Sequence, residues 1–174
     1  YPVVEAVTAI LWLLCGLHFG VGYTLAGAMF LTAVLVVLTA IDLDHQMLPD
    51  SLTLPLLWVG LLLNIDNTFV SLDSAVLGAV FGYLCLWVVF WLFKIVTGKE
   101  GMGHGDFKLL AALGAWFGLA ALPAIVLLSS VVGAVLGVAL IVTGKRDRQT
   151  PMPFGPFLAG AGLIHLLHSN VLLT

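Results

Sequence analysis

Two aspartates stand where apolar segments end. Asp42 sits in Thr39-Ala40-Ile41-Asp42-Leu43-Asp44-His45, and Asp106 closes Gly103-His104-Gly105-Asp106. Only 9% of the residues are charged, and an ionisable group at membrane depth is costly enough to count as a functional-site hypothesis. Two carboxylates about 3 Å apart cannot both ionise, so such a pair shares one proton. The ionised member can take a proton from water while the protonated member polarises a carbonyl. The residue types therefore point to peptide hydrolysis by an acid dyad, with no metal and no covalent intermediate.

The neighbours of the two acids carry weaker signals. Gly103 and Gly105 permit unusual dihedrals and close approach of a substrate backbone. Asp106 also suits a cap on a helix starting at Phe107. Asp44 reads as a second acid of the site or a surface charge. Asp50, between Pro49 and Ser51, reads as an N-cap, and Glu100 with Lys99 as a solvated loop pair. His45 and His104 flank the acids, but no His-x-x-His, His-Glu-x-x-His or clustered Cys supports a metal site. Cys15 and Cys85 lie alone in separate apolar runs and read as two buried lipid- or core-facing thiols. Pro151-Met152-Pro153-Phe154-Gly155-Pro156 makes a rigid start to a helix, with backbone left open to pair with an extended substrate.

The elements that must position these residues are membrane helices. Hydrophobic residues make up 61% of the 174 and mean hydropathy is +1.18, too much for the core of one soluble domain. Six basic residues against nine acidic ones exclude a nucleic-acid footprint. With about 20 apolar residues needed per span, the sequence predicts seven: Pro2–Phe19, Gly22–Ile41, Leu52–Ile65, Ser74–Val96, Phe107–Leu119, Ala121–Thr143 and Phe154–Leu173. The expected fold is an all-α polytopic membrane bundle, and residues 1–174 form a single transmembrane peptidase domain. Gly16/Gly20, Gly78/Gly82, Gly114/Gly118 and Gly133/Gly137 suit close helix packing. Trp12, Trp58, Trp87, Trp91 and Trp116 suit belt or packing roles, and His18, His165 and His168 suit the far interface. The chain begins at Tyr1 rather than Met, as a processed protein or part of a longer one would.

Charge sets the orientation. Lys94, Lys99 and Lys108 surround the fourth break, and Lys145, Arg146 and Arg148 lie in the sixth. With seven spans these loops share one side, which the positive-inside rule puts in the cytoplasm. The Asp42–Asp50 loop joins them there, so both acids face the cytoplasmic rim.

Three blocks in order resemble the type IV prepilin peptidases, membrane aspartyl proteases of the Gly-x-Gly-Asp type. They are Ile41 to Asp50, Gly98 to Leu110 and Pro151 to Pro156, and the resemblance covers nearly the whole chain. It implies that Asp42 and Asp106 are the catalytic pair, because the family's Asp-x-[Lys/Asp]-x-x-x-[Ile/Leu]-Pro pattern begins at Asp42. Asp44, Gly103, Gly105, Lys108, Pro153 and Gly155 fall within these blocks and are expected to support the site or bind substrate. It further implies cleavage of a basic leader from prepilins or pseudopilins at the cytoplasmic face of the bacterial inner membrane. The scissile bond there usually follows Gly, before an apolar helix, and Asp44, Asp50 and Glu100 could attract the leader. No cofactor is expected for proteolysis. Many bacterial members also methylate the new N-terminus with S-adenosylmethionine, and carry a further first span and a zinc-binding domain with paired Cys-x-x-Cys. This sequence holds neither, so methyl transfer is expected only of the full-length protein and zinc is not expected here.

Two other classes fit the same acids: a proton-coupled transporter or channel using them as a relay, and a non-catalytic membrane subunit binding a partner through them. No inverted symmetry supports the first.

Overall fold

Among the described residues, seven helices form where the apolar runs predict them. They are α1 (Pro2–His18), α2 (Tyr23–His45), α3 (Asp50–Leu63), α4 (Leu72–Thr97), α5 (His104–Phe117), α6 (Leu122–Val142) and α7 (Gly155–His168). The computed structural model describes residues 2–145 and 152–169, and no strand occurs among them. Arg146, Arg148 and Pro151 lie outside the described residues. Short 3-10 turns at Asn64–Asp66 and Leu119–Ala121 follow α3 and precede α6.

The span lengths differ from the sequence reading. Among the described residues, three segments are long and apolar enough to cross a membrane: Tyr23–His45, Leu72–Thr97 and Leu119–Val142. Helices α3, α5 and α7 have 14 residues each, about 21 Å of rise against a hydrocarbon core of about 30 Å. For α5 the shortfall costs little, because this helix is the centre of the bundle: every residue from Leu109 to Phe117 is buried. Being apolar on all faces, it fits inside protein.

Glycines let the other helices close on it. Gly78 of α4 and Gly114 of α5 meet backbone to backbone, and a Cβ on either would collide with the other's carbonyl oxygen. One turn along, a Cβ on Gly82 would lie 2.7 Å from the Leu110 carbonyl. Gly60 of α3 lies under the Trp116 ring, and Gly162 of α7 under Leu113. Two of the four glycine pairs thus mate with each other. Gly16 and Gly20 face open space, and Gly133 and Gly137 face Phe157 and Met152.

Polar ties fix the far end of α5. Buried Asn64 donates to the carbonyls of Ala115 (2.8 Å) and Trp116 (3.2 Å), and its Oδ1 accepts from Phe69 and Val70 N–H at 2.9 and 3.1 Å. All four bonding positions of the amide are filled. Trp116 Nε1 donates to the Leu56 carbonyl at 2.8 Å.

The α4–α5 register also sets the depth of the site. Continuing the pairing of Gly78 with Gly114 and Gly82 with Leu110 brings Asp106 level with Leu86. From there α4 continues to Thr97, about 16 Å further at 1.5 Å per residue. The carboxylate is therefore recessed beside an apolar helix rather than standing at its rim. The loop 98–103 folds back down to deliver it.

Candidate active site

Asp42 and Asp106 reach one cavity from opposite helix ends. Asp42 lies in the last turn of α2, which runs past it to His45 instead of stopping at Ile41. Gln46 then ends the helix in the left-handed region (φ 53°), its N–H bonded to the Asp42 carbonyl at 2.8 Å. Helix α5 starts at His104, three residues before the expected Phe107, with Gly103 as N-cap. Asp106 is therefore not the cap. It is the third residue of the first turn, and its backbone N–H donates to the Gly103 carbonyl at 3.3 Å.

Both acids are buried, at 4% and 6% exposure. They line a cavity of about 530 Å3 together with Gly103, His104, Gly105 and Pro153. The Gly155 N–H donates to Asp42 Oδ2 at 3.0 Å. Gly155 is the first residue of α7, so a free N–H at a helix start is turned on a carboxylate. A Cβ at this position would lie 2.5 Å from the same oxygen. Pro156 continues the helix at a position needing no N–H. Gly105 has a matching reason: a Cβ there would sit 2.7 Å from Leu48 Cβ, in the segment between α2 and α3.

Other sequence-marked residues fall elsewhere. Asp44 is exposed and does not line the cavity. Lys108 does not line it either, and its ammonium bonds both Asp50 carboxylate oxygens at 2.6 and 2.7 Å. That pair ties α5 to the start of α3. Asp50 is thus not the expected N-cap; Pro49 holds that place without a side-chain cap bond. Glu100 pairs with Lys94 at 3.0 Å rather than with Lys99. The hydrogen bond and charge of Lys94 hold its carboxyl below the usual range. Of the two thiols, Cys15 is buried and Cys85 exposed. Trp116 is wholly buried core.

The His104 ring lies tilted against Phe90 (4.9 Å) and Phe107 (5.4 Å), and Phe107 meets Tyr83 edge to face (5.8 Å). This aromatic layer backs the first turn of α5. Among the described residues no three His, Cys, Asp or Glu side chains come together to hold a metal ion. Met102, Met152 and Phe154 also line the cavity. Sequence reasoning missed them, because apolar residues in two loops 50 positions apart carry no periodic signal that they meet.

Comparison with known proteins reaches the same blocks. The chain is 57% identical over 167 residues to the Prepilin leader peptidase/N-methyltransferase of Aeromonas hydrophila, covering 96% of this chain and 58% of the relative. The proteins of the same name from Xanthomonas campestris pv. campestris and Legionella pneumophila are 54% and 51% identical over 170 and 164 residues. These matches cover 98% and 94% of this chain and 59% and 57% of the relatives. The chain thus spans somewhat over half the length of these relatives. No solved structure matches it. Nothing in these likenesses favours a transporter. Residues 29–138, from the middle of α2 through most of α6, match the Type IV leader peptidase family, and the chain belongs to that family.

Proposed function

We propose that residues 1–174 form one aspartic endopeptidase domain that cleaves the basic leader from type IV prepilins or pseudopilins. The observation that carries this reading is the meeting of two buried carboxylates, Asp42 and Asp106, in a single cavity. The pair holds one proton. Its ionised member removes a proton from water as the water oxygen bonds to the scissile carbonyl carbon. The protonated member gives its proton to the carbonyl oxygen. The resulting diol collapses, the C–N bond breaks, and a proton passes to the leaving nitrogen. The products are a free carboxyl and a new amine, with one water consumed and the dyad restored.

Family membership supports a leader-peptide substrate, as do the relatives' printed names. An intact helix hides its carbonyls in its own hydrogen bonds, so the bond attacked belongs to an extended junction. Gly103, Gly105 and Pro153 offer it backbone and space. Of the three acids expected to draw a basic leader, Asp50 and Glu100 already hold lysines. Exposed Asp44 is in no ion pair among the described residues, and it is left for that role.

The segments 46–49, 98–103 and 152–154 gather at the cavity end. Lys94, Lys99, Lys108 and Lys145 belong to that same end of the bundle, which supports a cytoplasm-facing site in the bacterial inner membrane. Among the described residues no group of side chains fits zinc. Methyl transfer from S-adenosylmethionine, the second activity in the relatives' names, belongs in this reading to the longer protein.

The test is incubation of detergent-solubilised chain with a prepilin, followed by mass measurement of the leader-shortened product. Asp42→Asn and Asp106→Asn are each expected to abolish it, and cleavage kept by either variant overturns the dyad.

A further inference from the structure

Beside the cavity lies a second opening, an apolar groove of about 370 Å3 between α4 and α6. Cys85 and Val89 form one wall, Ser130, Gly133 and Ala134 the other, and Phe157 of α7 the back. The gap exists because α6 packs chiefly on α7 and is not packed on α4. By the α4–α5 register, Cys85 is level with Phe107, next to Asp106. Groove and cavity therefore lie side by side at one depth.

We infer that this groove receives the apolar membrane helix of the substrate and hands its junction sideways to the two aspartates. The inference rests on the peptidase reading above and names how that site is reached. Three observations carry it. The groove adjoins the catalytic cavity, because Met102, Met152 and Phe154 line both. These are the only residues the two linings share, so they form the partition between them. Two of the three are methionines, whose unbranched side chains rearrange at low cost.

The polarity of the two spaces also matches one kind of ligand. The groove carries no charged side chain, whereas Asp42, Asp106 and Glu100 line the cavity. That division fits a segment whose extended polar junction gives way to an apolar helix. Finally, the α6 wall is built of small residues, and Ser130 makes no hydrogen bond among the described residues although it sits mid-helix. Small residues admit a helix backbone closely, and a hydroxyl at membrane depth gains by bonding across to it. A lipid tail would satisfy the apolar walls but offers neither the hydroxyl's partner nor a reason for the groove to adjoin the acid cavity.

Cys85 supplies the probe without mutation, since it is exposed and Cys15 is fully buried. The solubilised chain carrying Asp106→Asn is labelled at Cys85 with a maleimide benzophenone, mixed with full-length prepilin and irradiated. The control carries the label at Leu84→Cys in a Cys85→Ser background. Leu84 is exposed at nearly the same depth but lies outside the groove. The expected result is a prepilin adduct at Cys85 at least tenfold above the Leu84 control, mapping to the substrate's helix. Equal adducts at both positions, adducts with lipid or detergent alone, or adducts within the chain itself overturn the inference. In parallel, Ala134→Trp in the otherwise native chain is expected to lower cleavage of full-length prepilin at least tenfold without a change in melting temperature. Unchanged cleavage also overturns it. The native chain's own cleavage of prepilin is read separately: a specific Cys85 adduct with no cleavage by native chain keeps the groove and overturns the peptidase reading.

Discussion

The Gly155 N–H bonds to Asp42 Oδ2 at 3.0 Å, joining residues 113 positions apart in sequence. This one bond couples the start of α7 to the end of α2. It explains why glycine stands at that point of the Pro-Met-Pro-Phe-Gly-Pro segment: the donor must approach the carboxylate more closely than any side chain permits. The prolines on either side restrict the backbone that aims the N–H.

Gly155→Ala therefore tests whether Asp42 must be held in place. The added methyl would sit 2.5 Å from Asp42 Oδ2, so the carboxylate or the α7 start must shift. A misplacement of about 1 Å can cost about a hundredfold in rate. The expected outcome is a fall of that order in kcat for prepilin cleavage, with KM changed little and melting temperature nearly kept. A variant with native kcat would show that Asp42 needs no such positioning.

The two acids are expected to fail as one unit. Because each is useless without the other's complementary protonation state, their losses do not add. Asp42→Asn, Asp106→Asn and the double variant should therefore show the same residual rate in a single-turnover assay. A double variant slower than both singles by the product of their losses would indicate independent roles.

What the sequence revealed and hid follows from the range of the forces involved. Apolar length is a local property, so all seven helices appear near their expected places, and the blocks around Asp42, Asp106 and Gly155 are contiguous in sequence. Depth and partnership are not local. That Asp106 lies level with Leu86 depends on which glycines of α4 and α5 meet, and two of the four Gly-xxx-Gly pairs meet nothing of the kind. Lysine partners are likewise decided in three dimensions. Lys108 reaches Asp50 across 58 positions, and Glu100 prefers Lys94 at the end of α4 to its own neighbour Lys99. Asn64 gave no signal at all, since a lone Asn near the end of an apolar run falls inside the expected span Leu52–Ile65.

The Gly78–Gly114 crossing should set the stability of the bundle. A side chain at either position meets backbone, which cannot rotate away as a side chain can. Overpacking of this kind costs about 1–3 kcal/mol, at times more. Gly78→Val and Gly114→Val are expected to lower the melting temperature sharply or prevent folding. Gly16→Val, which faces open space, is expected to be nearly silent. The reverse order in a thermal-shift series would contradict the α4–α5 register and with it the depth of Asp106.

Asn64 separates stability from catalysis. Its amide fills four buried hydrogen-bond positions on α5 and on the segment leading to α4, at the end of α5 opposite Asp106. Asn64→Leu strands two N–H donors and removes a donor from two carbonyls, and each buried unsatisfied group costs about 1–3 kcal/mol. Asn64→Asp keeps the acceptor but turns a carboxylate oxygen toward the Ala115 and Trp116 carbonyls, which should be nearly as harmful. Both variants are expected to melt at clearly lower temperature. Below that temperature, the folded fraction should cleave prepilin within about twofold of the native rate, because nothing at the cavity has moved. Loss of activity in fully folded protein would mean that α5 transmits strain along its length from Trp116 to Asp106.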